Sequence, residues 1–423
     1  MKKGYIYAVS AGCLAVIALS GCGCKRNAEE ISTEEKTPGN VVVPYEKPAN
    51  ASPITGLACD NYDKRPFGVM YSGDVETRPY FSNITKADMV VEMPHRAIHD
   101  GTRVMGVFGC NAPTQIGPMR SARVDFMNVA GSIDAVFVLW GGDSVTKNLL
   151  DNKVMNSLTC ADGGVNAGDA ACYRLDKGVV PLDMEDRAFT SMPELIKSAS
   201  GYGYSNQNTF AGFEHQGEIS RDQRPEYGQI SVGYDNPFRV NYEYNPETNS
   251  YDRLFNKKEE YDFVTKERVS PKNVIVIQTK KDAFYIDTDY VSQGLRDPWA
   301  GIDETHKKND NGQYPNFQLG DPWFDTRFEG EAYFYMNGQE IVGTWKKERG
   351  DKKPFKFYDA NGQDVHFVPG QIWLQVVSNG KTVKWNPGTA EDRAENKTKR
   401  EQAALAPATT ATDATATTET TAE

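Results

Sequence analysis

The alternation of apolar and polar positions divides the chain into two folded parts, with a change of pattern near residue 229. In the first part, short apolar runs at Phe67–Tyr71, 89–93 and 103–108 have the length and composition of strands. Asp100-Gly101 stands between the second and third runs, and this dipeptide favours a tight turn. We therefore expect these two runs to form a hairpin.

A helix and a further strand are predicted after the hairpin. Gly117-Pro118 suits a helix start, because proline at the first helical position loses no hydrogen-bond donor that the helix needs. Apolar residues then recur at helical spacing, at Met119, Ala122, Phe126 and Ala130, and Gly131 ends the helix. Residues 135–140 are continuously apolar, as in a strand covered on both faces. Strand 103–108, this helix and strand 135–140 predict a right-handed βαβ unit, so the first domain is expected to be α/β with a mixed sheet.

The second part has the pattern of an antiparallel β domain. Residues 239–244 alternate and meet the turn Asn245-Pro246-Glu247, and residues 273–277 form an apolar, buried type of strand. Asn-Gly pairs between alternating runs are strong hairpin signals, because both residues accept positive φ. There are three, at Asn337-Gly338, Asn361-Gly362 and Asn379-Gly380. Three in succession predict a β-meander.

The two ends of the chain read as segments outside the folded domains. Lys2 and Lys3 precede an apolar run at 5–19, which is typical of a secretory signal and too short for a stable membrane span. Residues 19–22, Leu-Ser-Gly-Cys, resemble a bacterial lipobox, with Cys22 as the lipid-bearing (palmitate-type) residue; ordinary cleavage without lipid is the alternative. The expected layout is 1–21 signal peptide, 22–50 flexible tether, 51–228 α/β domain, 229–388 β-rich domain and 389–423 disordered Ala/Thr-rich tail.

Net charge and cysteine content restrict the class of protein further. With 47 basic and 58 acidic residues the net charge is −11, which argues against a nucleic-acid partner. The expected partners are the lipid bilayer through Cys22 and an envelope protein or an anionic wall polymer, and no cofactor is expected.

Four cysteines lie in the folded part, and an exported chain can keep disulfides. Cys59, Cys110, Cys160 and Cys172 allow three pairings. Cys160–Cys172 is the simplest, because it closes a short loop. Buried free thiols are the alternative.

Several short strings in both parts of the chain carry a resemblance to a known family. In the first part they are 52–56, Arg65-Pro66, Arg78-Pro79, 87–92, Thr102-Arg103, 116–123 (IGPMRSAR) and Gly141-Gly142. In the second part they are 251–253, 273–276, Asn337-Gly338, 343–346 and 369–373. In these strings the chain resembles the YerB-like lipoprotein family, a two-part domain of unknown function, over roughly residues 52–385. The resemblance implies a lipoprotein with the same two-part layout and brings no enzymatic activity with it.

The chain departs from the family pattern at two places. Where relatives tend to carry Pro-His-Asn, this chain has residues 182–188 ahead of Phe189-Thr190. Where relatives tend to carry His-x-Asp, it has Glu260-Tyr261-Asp262. Any chemistry that depended on those histidines would be lost here.

An anion site is the first functional hypothesis. Arg120 and Arg123 lie three apart at the predicted helix start with Ser121 between them, and the free N–H groups and the dipole of the first turn favour an anion. Gly141-Gly142 leaves the next strand at what we expect to be the same sheet edge, where open α/β sheets bind ligands. The alternative is that both arginines form internal ion pairs with Glu92, Asp125 or Asp143.

A catalytic site around Glu92 is the second hypothesis. Glu92 and Arg103 could face each other across the hairpin, as an acid positioned by an arginine or as a simple cross-strand salt bridge. His95 and His99 have the spacing of a helical metal pair, but they follow Pro94 in a short connection, so no metal site is expected. The favoured function is therefore a non-enzymatic binding or envelope-assembly lipoprotein, with ligand contacts at Arg103, Arg120, Ser121, Arg123, Gly141 and Gly142. The alternative is an envelope hydrolase or transferase with Glu92 as acid/base.

Overall fold

The computed structural model describes residues 42–95, 101–142, 144–151, 153–160, 171–286, 302–303, 314–317, 329–348 and 353–405. The predicted signal peptide, Cys22, His99, Asp143 and residues 406–423 lie outside the described residues. No helix in the described part of the chain is long and apolar enough to cross a membrane.

The described residues of the first part form seven strands and three α-helices. The strands are β1 (Phe67–Tyr71), β2 (Met89–Pro94), β3 (Thr102–Phe108), β4 (Val136–Leu139), β5 (Ser157–Thr159), β6 (Cys172–Arg174) and β7 (Ala188–Thr190). The helices are α1 (Val124–Ser132), α2 (Ser144–Asp151) and α3 (Met192–Gly201).

The second part is almost entirely β. Its strands are β8 (Gln229–Ser231), β9 (Val240–Asn245), β10 (Ser250–Phe255), β11 (Lys258–Glu259), β12 (Asn273–Thr279), β13 (Lys281–Ile286), β14 (Ile302–Asp303), β15 (Tyr314–Phe317), β16 (Glu329–Met336), β17 (Gln339–Lys347), β18 (Phe355–Asp359), β19 (Ile372–Ser378) and β20 (Lys384–Asn386). Helix α4 (Ala390–Leu405) follows. The α/β first part and β-rich second part agree with the predicted fold class.

One mixed sheet of ten strands runs through both parts, in the order β18-β17-β16-β12-β19-β2-β3-β1-β4-β5. Strand β19 from the second part lies between β12 and β2 and is parallel to both. The predicted boundary at 228/229 therefore does not separate two sheets, because β2 and β19 share main-chain hydrogen bonds. From Val42 onward the chain forms one compact unit.

The large sheet is covered on both faces. On one face, α1 packs through apolar residues such as Phe126 and Val129 against a core that includes Met105 and Leu374. On the other face lie α3 and a five-stranded antiparallel sheet of order β11-β10-β9-β8-β20. The interior is therefore divided into two cores by the large sheet.

The predicted βαβ unit is placed wrongly. Strand β1 lies between β3 and β4, antiparallel to β3 and parallel to β4, so β3 and β4 run in opposite directions. Strands β4 and β5 are the consecutive strands that pair in parallel, and α2 lies between them in the chain. The pattern of strand lengths could not show that β1, from earlier in the chain, occupies the place beside β4.

The predicted meander holds for its first turns and fails at the third. Asn337 and Gly338 both have positive φ and join β16 to β17 in a two-residue hairpin. After β18 the chain turns back at Gly362, where Tyr358 bridges Asp364. Gly380 instead leads from β19 to β20 in the other sheet, because β19 already has a strand on each side.

Parts of both ends that the sequence assigns to a tether and a tail are structured. Val43 belongs to the fold, since its N–H donates to Gln216 Oε1 (3.2 Å) and its carbonyl accepts from Gly217 (2.9 Å). Residues 390–405 form α4 rather than a disordered tail, because good helix formers follow a reciprocal cap in which the Thr389 and Asp392 side chains each accept the other's backbone N–H (3.1 and 2.8 Å).

Candidate functional site

The IGPMRSAR string runs as an extended segment across the ends of two strands. The Ser72 N–H, just after β1, donates to the Pro118 carbonyl oxygen at 2.8 Å. The Trp140 N–H, just after β4, donates to the Arg120 carbonyl oxygen at 3.3 Å. The string therefore connects the carboxyl ends of β1 and β4, which run parallel.

The predicted helix start at Pro118 is wrong. Helix α1 begins at Val124, and Arg123 precedes it with an extended φ of −135°. Buried backbone groups need hydrogen-bond partners. The extended string provides carbonyl partners for the N–H groups just after β1 and β4, so it does not form a helix. Arg120 and Arg123 consequently do not share a helix face.

The predicted ligand-binding residues nevertheless meet at one edge of the sheet. The Ala122 N–H donates to the Gly141 carbonyl oxygen at 2.9 Å, which places the string beside the glycine pair. Arg103 reaches the same place from the amino end of β3 and donates from its NH1 to the Ser121 carbonyl oxygen. Arg123 donates to the Ala122 carbonyl oxygen at 2.7 Å. We call this place the arginine edge; it consists of Arg103, Arg120, Ser121, Arg123, Gly141 and Gly142.

Arg120 at the arginine edge holds two carboxylates of its own chain. Its NH1 lies 2.8 Å from Glu185 Oε2 and its Nε 2.8 Å from Asp186 Oδ1. Burial would lower the pKa of Arg120, but the two carboxylates outweigh burial and raise it. The predicted alternative of an internal ion pair is thus realised for Arg120 with acids that the sequence reading did not name. The Glu185 side chain is 74% exposed, so this half of the pair faces solvent.

Glu92 lies in the interior and does not face Arg103. In the β2–β3 pair Glu92 stands opposite Val104, while Arg103 stands opposite Met93. Neighbouring residues of a strand point to opposite faces, so Glu92 and Arg103 lie on opposite faces of the sheet. The predicted cross-strand pair is wrong by one residue of register.

Two arginines neutralise the buried carboxylate of Glu92. Arg78 NH2 lies 2.5 Å from Glu92 Oε1, and Arg253 NH2 lies 2.5 Å from Glu92 Oε2. Thr102 donates its hydroxyl to Oε1 at 2.7 Å, and Gln375 Nε2 lies 3.3 Å from Oε2. All five side chains are buried.

A second carboxylate completes the group. Glu260 Oε1 lies 3.7 Å from Arg78 NH1, and Glu260 Oε2 pairs with Arg253 NH1. Arg78 also stacks on the Phe255 ring at 4.2 Å, and Arg253 on the Trp373 ring at 4.4 Å. We call Arg78, Glu92, Arg253 and Glu260 the buried ion cluster. It joins the first part of the chain to the second.

The electrostatics of the buried ion cluster do not suit an acid catalyst. Burial would raise the pKa of Glu92, but Arg78 and Arg253 outweigh burial and lower it to about 2. Burial raises the pKa of the neighbouring Tyr242 to about 12. Near neutral pH Glu92 is therefore a paired carboxylate and Tyr242 a neutral phenol, and a general acid needs a proton that it can release near the working pH.

Sequence reasoning missed three members of the buried ion cluster. Arg78 and Arg253 each stand in a string that carries the family resemblance, but neither was given a role. Glu260 opens the Glu260-Tyr261-Asp262 string, where the family resemblance implies a histidine instead. The signal that could have found them is charge at an apolar position, because Arg253 shares the buried face of β10 with Tyr251 and Phe255.

The remaining chemical candidates have these surroundings. His95 is buried, and His99 lies outside the described residues, so the two cannot be compared as a pair. Among the described residues, no group of three or more His, Cys, Asp and Glu could hold a metal ion. Cys160 is joined to Cys172, and Cys59 to Cys110.

The fold and the sites define a two-part protein that is built on one shared sheet, with an ion cluster buried between the parts. Two family profiles cover both parts: "Protein of unknown function (DUF3048) N-terminal domain" matches residues 54–205, and the C-terminal domain of the same family matches residues 230–374. The chain belongs to this two-part, YerB-like family of unknown function.

Two comparisons with individual proteins agree with this membership. The chain is 24% identical over 341 residues to "Putative lipoprotein YerB" of Bacillus subtilis (strain 168), covering 77% of this chain and 86% of that protein. The crystal structure of the YerB protein from Bacillus subtilis matches with a TM-score of 0.60 and 22% identity, over 79% of this chain and 99% of that one. The second likeness supports the fold alone.

Proposed function

We propose that the protein is a lipid-anchored lipoprotein on the extracytoplasmic face of the membrane that binds an anionic wall polymer or envelope protein at the arginine edge, without catalysis. The lipobox at 19–22 and the basic, apolar start of the chain support anchoring through Cys22. The similarity to a protein named a lipoprotein supports the same location.

One observation carries the binding proposal: the Arg120 guanidinium holds two carboxylates at 2.8 Å at an edge that solvent reaches. The contact with Glu185 is a hydrogen bond with the short, charge-assisted geometry by which arginine recognises carboxylate and phosphate groups. A solvent-exposed ion pair contributes only about 0–1 kcal/mol, so a ligand anion can replace Glu185 at small cost.

The absence of catalysis is proposed from the state of Glu92. Its carboxylate is enclosed by Arg78 and Arg253, and the sequence candidate Arg103 lies on the other face of the sheet. A substrate at the arginine edge would therefore not meet Glu92. The hydrolase or transferase alternative requires such a meeting.

Sedimentation with purified peptidoglycan sacculi, with and without their anionic polymer, tests the binding proposal. We expect Arg120→Ala to abolish cosedimentation, because the anion loses the N–H donors of the Arg120 guanidinium group. Glu185→Ala should tighten binding, because it removes the internal competitor. Arg221→Ala is the matched control, since Arg221 also bridges two carboxylates, Glu226 and Glu247, away from this edge. Equal binding by wild type and Arg120→Ala would reject the arginine edge as the site.

A further inference from the structure

We propose that the cleft beside α3 binds a neutral saccharide, at a site separate from the arginine edge. The cleft has a volume of about 440 Å³. That volume is within the range of small-molecule sites in proteins. Phe67 and Val136, the first residues of β1 and β4, contribute to its floor. The arginine edge lies at the opposite, carboxyl ends of the same strands.

One face of α3 forms a wall of the cleft. Met192, Ile196, Ala199 and Ser200 all line it, at the spacing of residues that share a helix face. Met192 and Ala199 are buried against the core, whereas Ile196 is 50% exposed. This helix therefore presents an apolar side chain and a hydroxyl side chain to the cleft.

Cross-links hold the opposite wall in place. The Cys59–Cys110 disulfide joins the segment before β1 to the loop after β3. Asn61 donates its amide nitrogen to the Cys110 carbonyl oxygen at 3.2 Å, and the Arg65 N–H donates to the Asn206 carbonyl oxygen at 2.7 Å. A wall that is ordered before binding lowers the entropy cost of holding a ligand.

The charges around the cleft favour an uncharged ligand. Arg65 is committed to Asp134, with its NH2 3.1 Å from Oδ1 and its Nε 2.6 Å from the carbonyl oxygen. Lys64 lies 3.2 Å from Asp63. Both cations that line the cleft are thus paired with an anion of the chain, and the Arg65–Asp134 pair is the more buried of the two.

The rim of the cleft suits a polyol. Asn61, Asn111, Asn206, Ser200 and Ser205 supply amides and hydroxyls. The side-chain amide nitrogen of Asn111 donates a hydrogen bond to the Lys86 carbonyl oxygen at 2.8 Å. The amide oxygen of Asn111 is left as an acceptor for a ligand hydroxyl. A sugar has a face of C–H groups and hydroxyls around its ring. The apolar floor beside Ile196 suits the C–H face, and the amides at the rim suit the hydroxyls.

Titration of the full-length protein in detergent micelles with tri-N-acetylchitotriose tests the proposal, with methyl NMR at Ile196 as the local readout. We expect saturable binding and a shift of the Ile196 methyl signal. Ser200→Trp should fill the cleft and weaken binding at least tenfold. Lys197→Trp is the matched control, because Lys197 lies on the same helix, is 77% exposed and does not line the cleft.

Other ligands and variants decide between the remaining outcomes. Asn111→Ala, which removes an acceptor at the rim, should weaken saccharide binding several-fold, and Arg120→Ala should leave it unchanged. Cellotriose in place of the acetylated trimer shows whether the acetamido group is needed; binding of either sugar supports a saccharide site. Preference for glucose 6-phosphate or for an apolar peptide, no saccharide binding, or wild-type binding by Ser200→Trp would each overturn the proposal.

Discussion

Glu92 remains ionised in the interior because two guanidinium groups and a hydroxyl surround its carboxylate. Burial of an unpaired carboxylate is costly, and the contacts of Arg78, Arg253 and Thr102 offset that cost. If either Arg78 or Arg253 were missing, one oxygen of the Glu92 carboxylate would lose its guanidinium partner. The ion cluster therefore depends on all of its members at once.

Removing the charge of Glu92 should destabilise the protein strongly. We expect Glu92→Gln to lower the free energy of unfolding by about 3–5 kcal/mol, because two buried guanidinium groups, Arg78 and Arg253, are then left with the single carboxylate of Glu260. Urea denaturation followed by circular dichroism measures the change. Glu267→Gln is the control, since Glu267 pairs with Lys86 at the surface and should contribute below about 1 kcal/mol. Equal losses in both variants would contradict the assigned role of Glu92.

Asp88 should give the protein a distinct pH dependence. Burial raises the pKa of Asp88 to about 6 from 3.8, although the N–H groups of Gly109 and Cys110 lower it in part. The folded state therefore binds the Asp88 proton more tightly than the unfolded state does. The stability that this group contributes is complete below pH 3.8 and is lost as the pH rises through 6.

The comparison of wild type with Asp88→Asn measures this contribution. A shift of this size corresponds to about 3 kcal/mol between the two limits. The free energy of unfolding of Asp88→Asn, relative to that of wild type, should increase as the pH rises from 4 to 7. A difference between the two proteins that does not change with pH would contradict the raised pKa of Asp88.

The order of strands explains which elements could be predicted from sequence. The strands expected at 67–71, 89–93 and 103–108 follow from local periodicity, and each forms within one residue of its expected bounds. The segment after Gly117 was misread as helical because Met119 and Ala122 satisfy helical spacing by chance. Its extended form depends on the ends of β1 and β4, and a local pattern contains no information about them.

The same distinction applies to the candidate site. The six residues of the arginine edge lie together because loops gather at the carboxyl ends of β1 and β4, and Arg103 reaches the same edge from the amino end of the antiparallel β3. Their role in binding a ligand stays a prediction. Glu92 was placed on the wrong face because a single step of register reverses every side chain. Of its two arginine partners, Arg253 is 161 residues away, beyond the reach of any local pattern.

The β16–β17 hairpin allows a test at the level of one element. A Cβ at Gly338 would lie 2.4 Å from Tyr244 Cε1, whereas a Cβ at Gly362 would meet nothing within 4 Å, although both glycines have positive φ. We expect Gly338→Ala to cost about 1–3 kcal/mol more in unfolding free energy than Gly362→Ala, because only the former adds overpacking to the backbone strain. Equal midpoints in urea would show that Tyr244 can move aside.

Strand β19 makes the two parts of the chain one folding unit. It supplies a parallel neighbour for β2 and for β12, and Arg253 of the second part neutralises Glu92 of the first. Without the second part, β2 would lose its neighbour β19 and Glu92 would lose Arg253. The two family profiles therefore describe two regions of sequence that share one core.

Separate expression of the two parts tests this dependence. We expect residues 42–228 alone to lack a cooperative urea transition and to show poorly dispersed NMR spectra, because β2 would have an exposed edge and Glu92 would lose Arg253. Coexpression with residues 229–405 should restore both properties. Independent cooperative folding of residues 42–228 would contradict the shared core.

Binding at the arginine edge in the anchored protein is the central claim, and photo-crosslinking in intact cells tests it most directly. A photo-reactive amino acid introduced at Glu185, beside Arg120, should trap an envelope polymer or protein. The adduct should disappear in Arg120→Ala and should be absent with the same group at Lys399, which is 65% exposed on α4. An adduct at Glu185 that persists without Arg120, or that forms equally at Lys399, would contradict the account.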